Sequence, residues 1–160
     1  MSGFACHPLR PDQAPGVYPL VREAIPGIDL KAWLQFARRI TDPRKAGREG
    51  IMVVTRKPRL LPCGLFVYRR EDDLERGPVL VAEHFVAVDL LDAEPVMQAL
   101  IDELDGLAKR LGCGAIRAMV MSPSSLLASG LHAAGHRPEG AALWKDIAEP
   151  AAGSATIPTR

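Results

Sequence analysis

Two ionisable residues, Glu83 and His84, interrupt an otherwise apolar stretch that runs from 78 to 88. The stretch is rich in β-branched and aromatic residues, which is typical of a largely buried strand. A carboxylate in apolar surroundings can accept a proton from a substrate, so Glu83 is a candidate general base. Side chains alternate along a strand, so His84 is expected on the opposite face. The alternative for Glu83 is an outward position on a solvated face.

An acidic turn with the sequence DLLDAEP follows over 89–95. A turn between a strand and a helix often binds phosphate, because the first N–H groups of the helix have no partner within it. Here carboxylates occupy the positions where an anion would bind, and the turn contains no glycine. A purely structural interpretation is also available: Asp92 caps the helix, Glu94 lies near its positive end, and Pro95 is tolerated in the first turn.

The elements that must position these residues follow from the spacing of apolar residues. Between Val96 and Leu111 they recur every three or four positions, which predicts a long amphipathic helix that ends at Gly112. Short connections predict an antiparallel meander of strands over 51–55, 60–68 and 78–88. A strand over 115–121 comes after the helix and is therefore expected to be parallel to the strand before it. The remaining predicted elements are a strand over 4–9, helices over 13–24 and 30–40, a short helix capped by Ser124, and a last strand over 141–147.

The composition is that of one globular domain with its own core, since the chain has 160 residues, 48% hydrophobic content and a formal net charge of +1. We expect this domain to span 1–147 and to be followed by a flexible tail over 148–160. The near-neutral charge argues against a nucleic-acid binder. The sequence has neither a membrane-spanning apolar run nor a secretory pattern at its start, so we expect no membrane association and a cytoplasmic location.

Other residues with chemical potential have structural explanations. The odd number and wide spacing of the cysteines support neither a disulfide framework nor a metal site, so we expect small buried side chains at Cys6, Cys63 and Cys113. His132 and His136 have the spacing of a zinc pair on a helix. No third ligand is apparent in the sequence, and we expect no metal.

Two short sequence segments lie near predicted helix ends: LAKRLGC over 107–113 and LHAAGHRPEG over 131–140. They are considered together with the order of the predicted elements. Together they resemble the GNAT superfamily of acyl-CoA-dependent N-acyltransferases, over residues 4–147. The resemblance implies an α/β fold with a mixed, mostly antiparallel sheet that splays open between strands 4 and 5 and has helices on both faces. It also implies that the pantetheine arm of acetyl-CoA or another acyl-CoA enters this gap. The pyrophosphate would then lie at the N-terminus of the next helix.

The same resemblance implies the site residues. Glu83 corresponds to the carboxylate that often serves as the base, and the implied cofactor-binding positions are Val86, Ala87, Val88, Leu90, Asp92, Met97 and Ser124. The family's pyrophosphate loop, Gln/Arg-x-x-Gly-x-Gly/Ala, corresponds to 92–97. Here that loop is DAEPVM, so every signature position differs. The Tyr that commonly protonates the departing thiolate corresponds to Leu131.

Two functions are compatible with these patterns. A divergent N-acyltransferase would transfer an acyl group from acyl-CoA to a small-molecule or protein amine, with Glu83 or water as the base. A catalytically inactive protein would instead use the scaffold to bind a protein or a ligand, and a homodimer is possible in either case. The altered loop and the missing Tyr favour the second hypothesis, whereas the usual occupation of the fold favours the first.

Overall fold

The computed structural model describes residues 3–122 and 125–148, and these contain five strands and four α-helices. The strands are β1 (Phe4–Pro8), β2 (Glu49–Arg56), β3 (Leu61–Asp73), β4 (Gly77–Ala87) and β5 (Ala115–Ala118). The helices are α1 (Ala14–Ala24), α2 (Leu30–Ile40), α3 (Glu94–Arg110) and α4 (Leu126–Ala133). Within these two ranges no helix is both long enough and apolar enough to span a bilayer.

The strands form one mixed sheet in the order β1-β2-β3-β4-β5. The first four strands are antiparallel and β5 is parallel to β4, which confirms both sequence predictions. Pairing between β4 and β5 ends where Ala82 lies opposite Ala118, but β4 continues to Ala87. The sheet therefore opens between these two strands, as the resemblance implied.

Helices cover both faces of the sheet, because the buried strands carry apolar residues on both sides. Along β2, Met52 and Val54 belong to a core beneath α3 and α4, whereas Ile51 and Val53 belong to a core beneath α1 and α2. This alternation follows from the two-residue period of a strand. We refer to the two sides as the α3–α4 face and the α1–α2 face.

Close packing of α3 on β3 depends on Gly64. A Cβ atom at this position would lie 2.8 Å from Cγ1 of Val96 and 3.0 Å from the carbonyl oxygen of Val86. We expect Gly64→Ala to lower the free energy of unfolding by about 1–3 kcal/mol, because α3 must shift to make room. Gly16 is the matched control, since it is an exposed position of α1 with no atom within 4 Å of an added Cβ.

Gly16→Ala should raise the free energy of unfolding by about 0.5–1 kcal/mol through helix propensity. Urea unfolding of both variants measures these changes. Similar effects at the two positions would contradict the close approach of α3 to β3.

The C-terminal part of the chain differs from the sequence prediction. The predicted last strand over 141–147 pairs with no strand among the described residues, and β5 ends at Ala118 instead of 121. Leu143, Trp144 and Ile147 are 93%, 85% and 80% exposed. Apolar β-branched and aromatic composition identifies a segment suited to a sheet, but it does not specify a partner strand. Residues 149–160 of the predicted tail lie outside the described residues.

Candidate functional site

A bulge at His84 interrupts β4 beyond its last pair with β5. Opposite β3, Glu83 pairs with Val67 and Val86 pairs with Leu65, so two residues of β4 stand against one of β3. His84 has a φ of 57°, in the left-handed region that residues other than glycine adopt only when their surroundings hold them there. Bulges redirect side chains and are over-represented next to active sites. The bulge therefore identifies this part of β4 as a candidate site.

The bulge also changes the expected direction of His84. Glu83 lies on the α1–α2 face, because its partner Val67 belongs to that core. The His84 ring contacts Phe36 of α2 edge-on, with 6.1 Å between the ring centroids, so it faces the same side. Strict alternation predicted opposite faces, and this prediction is wrong because the bulge inserts one extra residue. The next side chain, Phe85, packs against the α3–α4 core.

On the α1–α2 face, Glu83 belongs to a network of four charged residues. Arg69 donates hydrogen bonds to both Glu83 and Glu71, and Arg117 of β5 donates a further one to Glu71. Burial alone would raise the pKa of Glu71, but the hydrogen bond and charge of Arg69, with the charge of Arg117, hold it below its ordinary value. The network contains two positive and two negative groups. The exposed His84 lies on the same face as Glu83 and is a second candidate base.

The surface of α2 next to His84 has a depression that could hold a small molecule. A shallow, open depression of about 400 Å³ is lined by Ala32, Gln35, Phe36 and Arg39. The Arg39 guanidinium lies over the Phe36 ring, 5.6 Å from its centroid. Because Phe36 also contacts His84, a molecule in this depression would lie beside the bulge.

The edge of β4 beyond the bulge faces the opening in the sheet. The N–H of Val88 donates to the carbonyl oxygen of Cys63 on the β3 side, over 2.8 Å. Main-chain groups alternate along a strand, so those of Val86 also point to β3, whereas those of Ala87 and Phe85 point into the opening. No strand among the described residues covers this part of the β4 edge. An extended molecule that contains amides could bind here as an added strand.

The acidic turn before α3 satisfies its own N–H groups. Oδ1 of Asp92 accepts from the N–H of Glu94, and Oδ1 of Asp89 accepts from the N–H of Leu91, each over 2.9 Å. Asp89 also forms an ion pair with Arg56 of β2. Both carboxylates therefore occupy donors that an incoming anion would need.

The first turn of α3 leaves few other donors. Pro95 has no N–H, and the N–H of Met97 already donates to the carbonyl oxygen of Ala93 over 2.9 Å. Within the part of the chain that the structure describes, Val96 carries the single first-turn N–H without an acceptor. The helix terminus is consequently a weak site for a pyrophosphate.

The remaining predicted positions have different surroundings. Leu90 is fully exposed and does not fill the opening, whereas Met97 is partly buried against the α3–α4 core. Leu131 is 3% exposed within that core and has no proton to give a leaving thiolate. The N-cap of α3 is Ala93, although Asp92 binds the Glu94 N–H as the structural interpretation expected.

The predicted cap of α4 is wrong by one residue. Ser125 caps this helix, with its Oγ accepting from the N–H of Ala128 over 3.1 Å. Ser124, the implied cofactor-binding position, lies outside the described residues.

The three cysteines and His136 lie outside the bulge. Burial raises the pKa of Cys6 to about 11 and also raises that of Cys63. Cys63 is buried as predicted, but the prediction is wrong for Cys6 and Cys113, which are only partly buried. Nδ1 of His136 lies 3.2 Å from the carbonyl oxygen of Leu131. Over 3–122 and 125–148, no three or more His, Cys, Asp or Glu residues are grouped to hold a metal ion.

The sequence offered no signal for several features of this site. The bulge contains neither Gly nor Pro, and the partner of Glu83, Arg69, comes from the neighbouring strand β3. A pattern of apolar residues specifies faces, but it does not specify register irregularities or ion pairs across strands. Phe85 and Arg69 were therefore not predicted as parts of the site.

No protein-family model and no curated protein sequence matches this chain. Solved structures do. The aminoglycoside N-acetyltransferase AAC(6')-Iy, crystallised with CoA, has a TM-score of 0.73 and 15% identity, and the match covers 92% of this chain and 97% of that one. AAC(6')-Ih from Acinetobacter baumannii has a TM-score of 0.70 and 14% identity, with 92% and 100% covered. Glucosamine-6-phosphate N-acetyltransferase from Arabidopsis thaliana has a TM-score of 0.70 and 12% identity, with 90% and 98% covered.

Proposed function

The chain has the GNAT fold, and from this premise we propose that it transfers an acyl group from an acyl-CoA thioester to an amine. The observation that carries the proposal is the uncovered edge of β4 beyond Ala82, next to a bulge that brings His84 to the α1–α2 face, where Glu83 also lies. The acyl donor would bind at the β4 edge in the opening of the sheet, and the amine acceptor would bind on the α1–α2 face beside His84. The thioester would lie where the two sides meet.

The donor would bind mainly through its pantetheine arm. Its amides would pair with the main-chain groups of Phe85 and Ala87 that point into the opening. Acetyl-CoA is the first donor to test, since AAC(6')-Iy was crystallised with CoA. The pyrophosphate would add little affinity, because Asp89 and Asp92 already occupy the donors in its place.

In the transfer step the amine nitrogen would attack the thioester carbonyl carbon, a C–N bond would form and the C–S bond would break. His84 would take the proton that the acceptor ammonium must lose before its nitrogen can attack, and the Arg69-bound Glu83 would lie beside it. The second proton, lost by the nitrogen as the C–N bond forms, would pass to water. Leu131 offers no proton, so water would protonate the departing thiolate.

The charge network favours an acceptor with little net charge. Arg69 and Arg117 balance Glu71 and Glu83, and Arg39 adds a positive group near the depression on α2. A polycationic amine such as an aminoglycoside gains most from a negative site. We therefore place the acceptor among small or protein-borne amines with a single positive charge.

The second candidate is a catalytically inactive protein that binds a protein or ligand on the same scaffold. Two observations favour it: the turn before α3 satisfies its own donors, and Leu131 is buried in the core. Both would reduce donor binding and turnover without affecting the fold.

Calorimetric titration at low salt tests the donor binding that the acyltransferase requires, with acetyl-CoA and S-acetyl-pantetheine as the ligands. We expect both to bind with dissociation constants within about 10-fold of each other, since the pyrophosphate contributes little. Absence of heat and of any thermal shift with either ligand at millimolar concentration would rule out the acyltransferase and leave the inactive protein. Much tighter binding of acetyl-CoA alone would show that the acidic turn still binds phosphate.

A further inference from the structure

The helix α2 carries positive side chains and no negative one. Its sequence, LKAWLQFARRI, contains no Asp or Glu, and its exposed charged residues are Lys31, Arg38 and Arg39. The carboxylates at its two ends already have partners. Asp29 accepts from the main chain of the first turn, and Asp42 accepts from the guanidinium of Arg44. The outer surface of α2 is therefore positive, and such a surface attracts molecules that carry a negative group.

Arg39 differs from the other arginines on the α1–α2 face because its N–H groups are not used. Arg69 and Arg117 are bound to the carboxylates of the charge network, whereas none of the described residues accepts a hydrogen bond from the Arg39 guanidinium. The Arg39 guanidinium lies over the Phe36 ring. A guanidinium in contact with an aromatic ring can still bind a carboxylate through two parallel N–H groups. Arg39 is therefore available to bind the carboxylate of a small molecule.

Arg39 and His84 both contact the Phe36 ring. From the centroid of this ring, the guanidinium carbon lies 5.6 Å away and the imidazole centroid 6.1 Å away, so Arg39 and His84 are at most about 12 Å apart. When each of them makes a hydrogen bond of ordinary length to a molecule between them, about 4 Å remains between the carboxylate carbon and the amine nitrogen of that molecule. One or two carbon atoms span this distance. This is the spacing of an α- or β-amino acid.

We propose that the acceptor is a free α- or β-amino acid, whose carboxylate binds Arg39 while its amine lies at His84. This inference rests on the proposed acyl transfer and names its acceptor. An amino acid with an uncharged side chain has one ammonium and no net charge, which is the balance that the charge network favours. Its side chain would lie against Phe36 and Ala32, the apolar part of the depression on α2.

The product would be an N-acylamino acid. A C–N bond forms and the C–S bond of the thioester breaks, as in the transfer step described above. His84 and water take the two protons that the ammonium loses, and water protonates the departing thiolate. The carboxylate of the amino acid takes no part in the bond changes, so Arg39 is a binding residue that sets acceptor specificity.

Steady-state acyl transfer from acetyl-CoA to leucine, leucinamide and isoamylamine tests the proposal. The amide and the amine lack the carboxylate. The basicity of the leucine amine lies between theirs, so a preference for leucine over both cannot come from basicity. We expect kcat/KM for leucine to exceed that of either control by about 30-fold, the range expected when a hydrogen bond between charged groups is lost.

The variant Arg39→Gln should remove most of this 30-fold preference for leucine over leucinamide, and Arg39→Lys should keep part of it. The matched control is Arg38→Gln. Arg38 also lies in the last turn of α2, so both substitutions remove a charge of the same sign near the same helix end. Arg38 lines a neighbouring depression with Leu30 and Leu34, and Arg38→Gln should keep the preference for leucine within about 2-fold of the wild-type value.

Transfer to isoamylamine at least as fast as to leucine would overturn the amino-acid acceptor and leave the acyl transfer intact. So would a preference that Arg38→Gln loses as fully as Arg39→Gln. If none of the three acceptors is acylated, calorimetric titration of the wild-type protein and Arg39→Gln with leucine separates the two proposals. Binding of leucine that depends on Arg39 would then overturn the acyl transfer and leave an amino-acid site, whereas absence of binding would overturn both.

Discussion

Replacement of His84 by Asn is expected to lower kcat/KM for acyl transfer by about 100-fold or more, the range found when a general base is removed. Asn is the suitable replacement because it tolerates the left-handed backbone conformation at this position better than most residues. The affinity for the acyl donor should hardly change, since the donor is proposed to bind main-chain groups along the β4 edge and not the His84 side chain. The fall should therefore appear in kcat.

The matched variant is Glu83→Gln, which keeps a hydrogen-bond acceptor for Arg69 but removes the charge. We expect it to lower kcat by about 10-fold, because it weakens the surroundings of the acceptor without removing the base. The opposite ranking, with Glu83→Gln the more severe change, would restore Glu83 as the base that the sequence implied. Thermal unfolding of both variants checks that the bulge is intact.

The second large effect concerns the acidic turn. Asp92→Gly combined with Pro95→Gly should bind acetyl-CoA about 100-fold more tightly, because it removes a charge near the pyrophosphate and restores N–H donors to the first turn of α3. Asp92→Asn separates the two contributions, since the Asn side chain can still accept from the Glu94 N–H. The affinity of this single variant for acetyl-CoA should rise by only about 10-fold, since solvent screens the charge of a carboxylate on the surface.

The control for these variants is the ligand S-acetyl-pantetheine, which carries no phosphate. Its dissociation constant should be the same in all of them, because its binding groups lie along β4. Equal tightening for both ligands would mean that the substitutions act through the shape of the opening and not through the pyrophosphate.

The elements that could be predicted from sequence are those with a regular spacing of apolar residues or with short connections. The apolar period of α3 and the short connections between β2, β3 and β4 predicted a helix and a meander, and the structure confirms both. Acidic residues before α3 were also visible in the sequence, and their hydrogen bonds follow from simple turn chemistry.

The unpredicted part consists of single departures from a repeat. One extra residue at His84 rotates a side chain to the other face, and a strand-like segment over 141–147 stays unpaired in its own chain. Both depend on which distant residues meet, and a local pattern contains no information on that. The candidate site on β4 stays a prediction, and the ion pair of Glu83 with Arg69 became apparent only with the tertiary structure.

The acidic turn also has a consequence for how the empty protein behaves. When the first N–H groups of a helix have no acceptor, the positive end of the helix dipole is not balanced. A protein with such a helix is stabilised when it binds phosphate, sulfate or its own cofactor. Here the carboxylates of Asp89 and Asp92 provide negative charge and hydrogen-bond acceptors before α3 when no ligand is bound. Folding is thereby uncoupled from the supply of ligand, and any donor must compete with the chain itself for the same few amide groups.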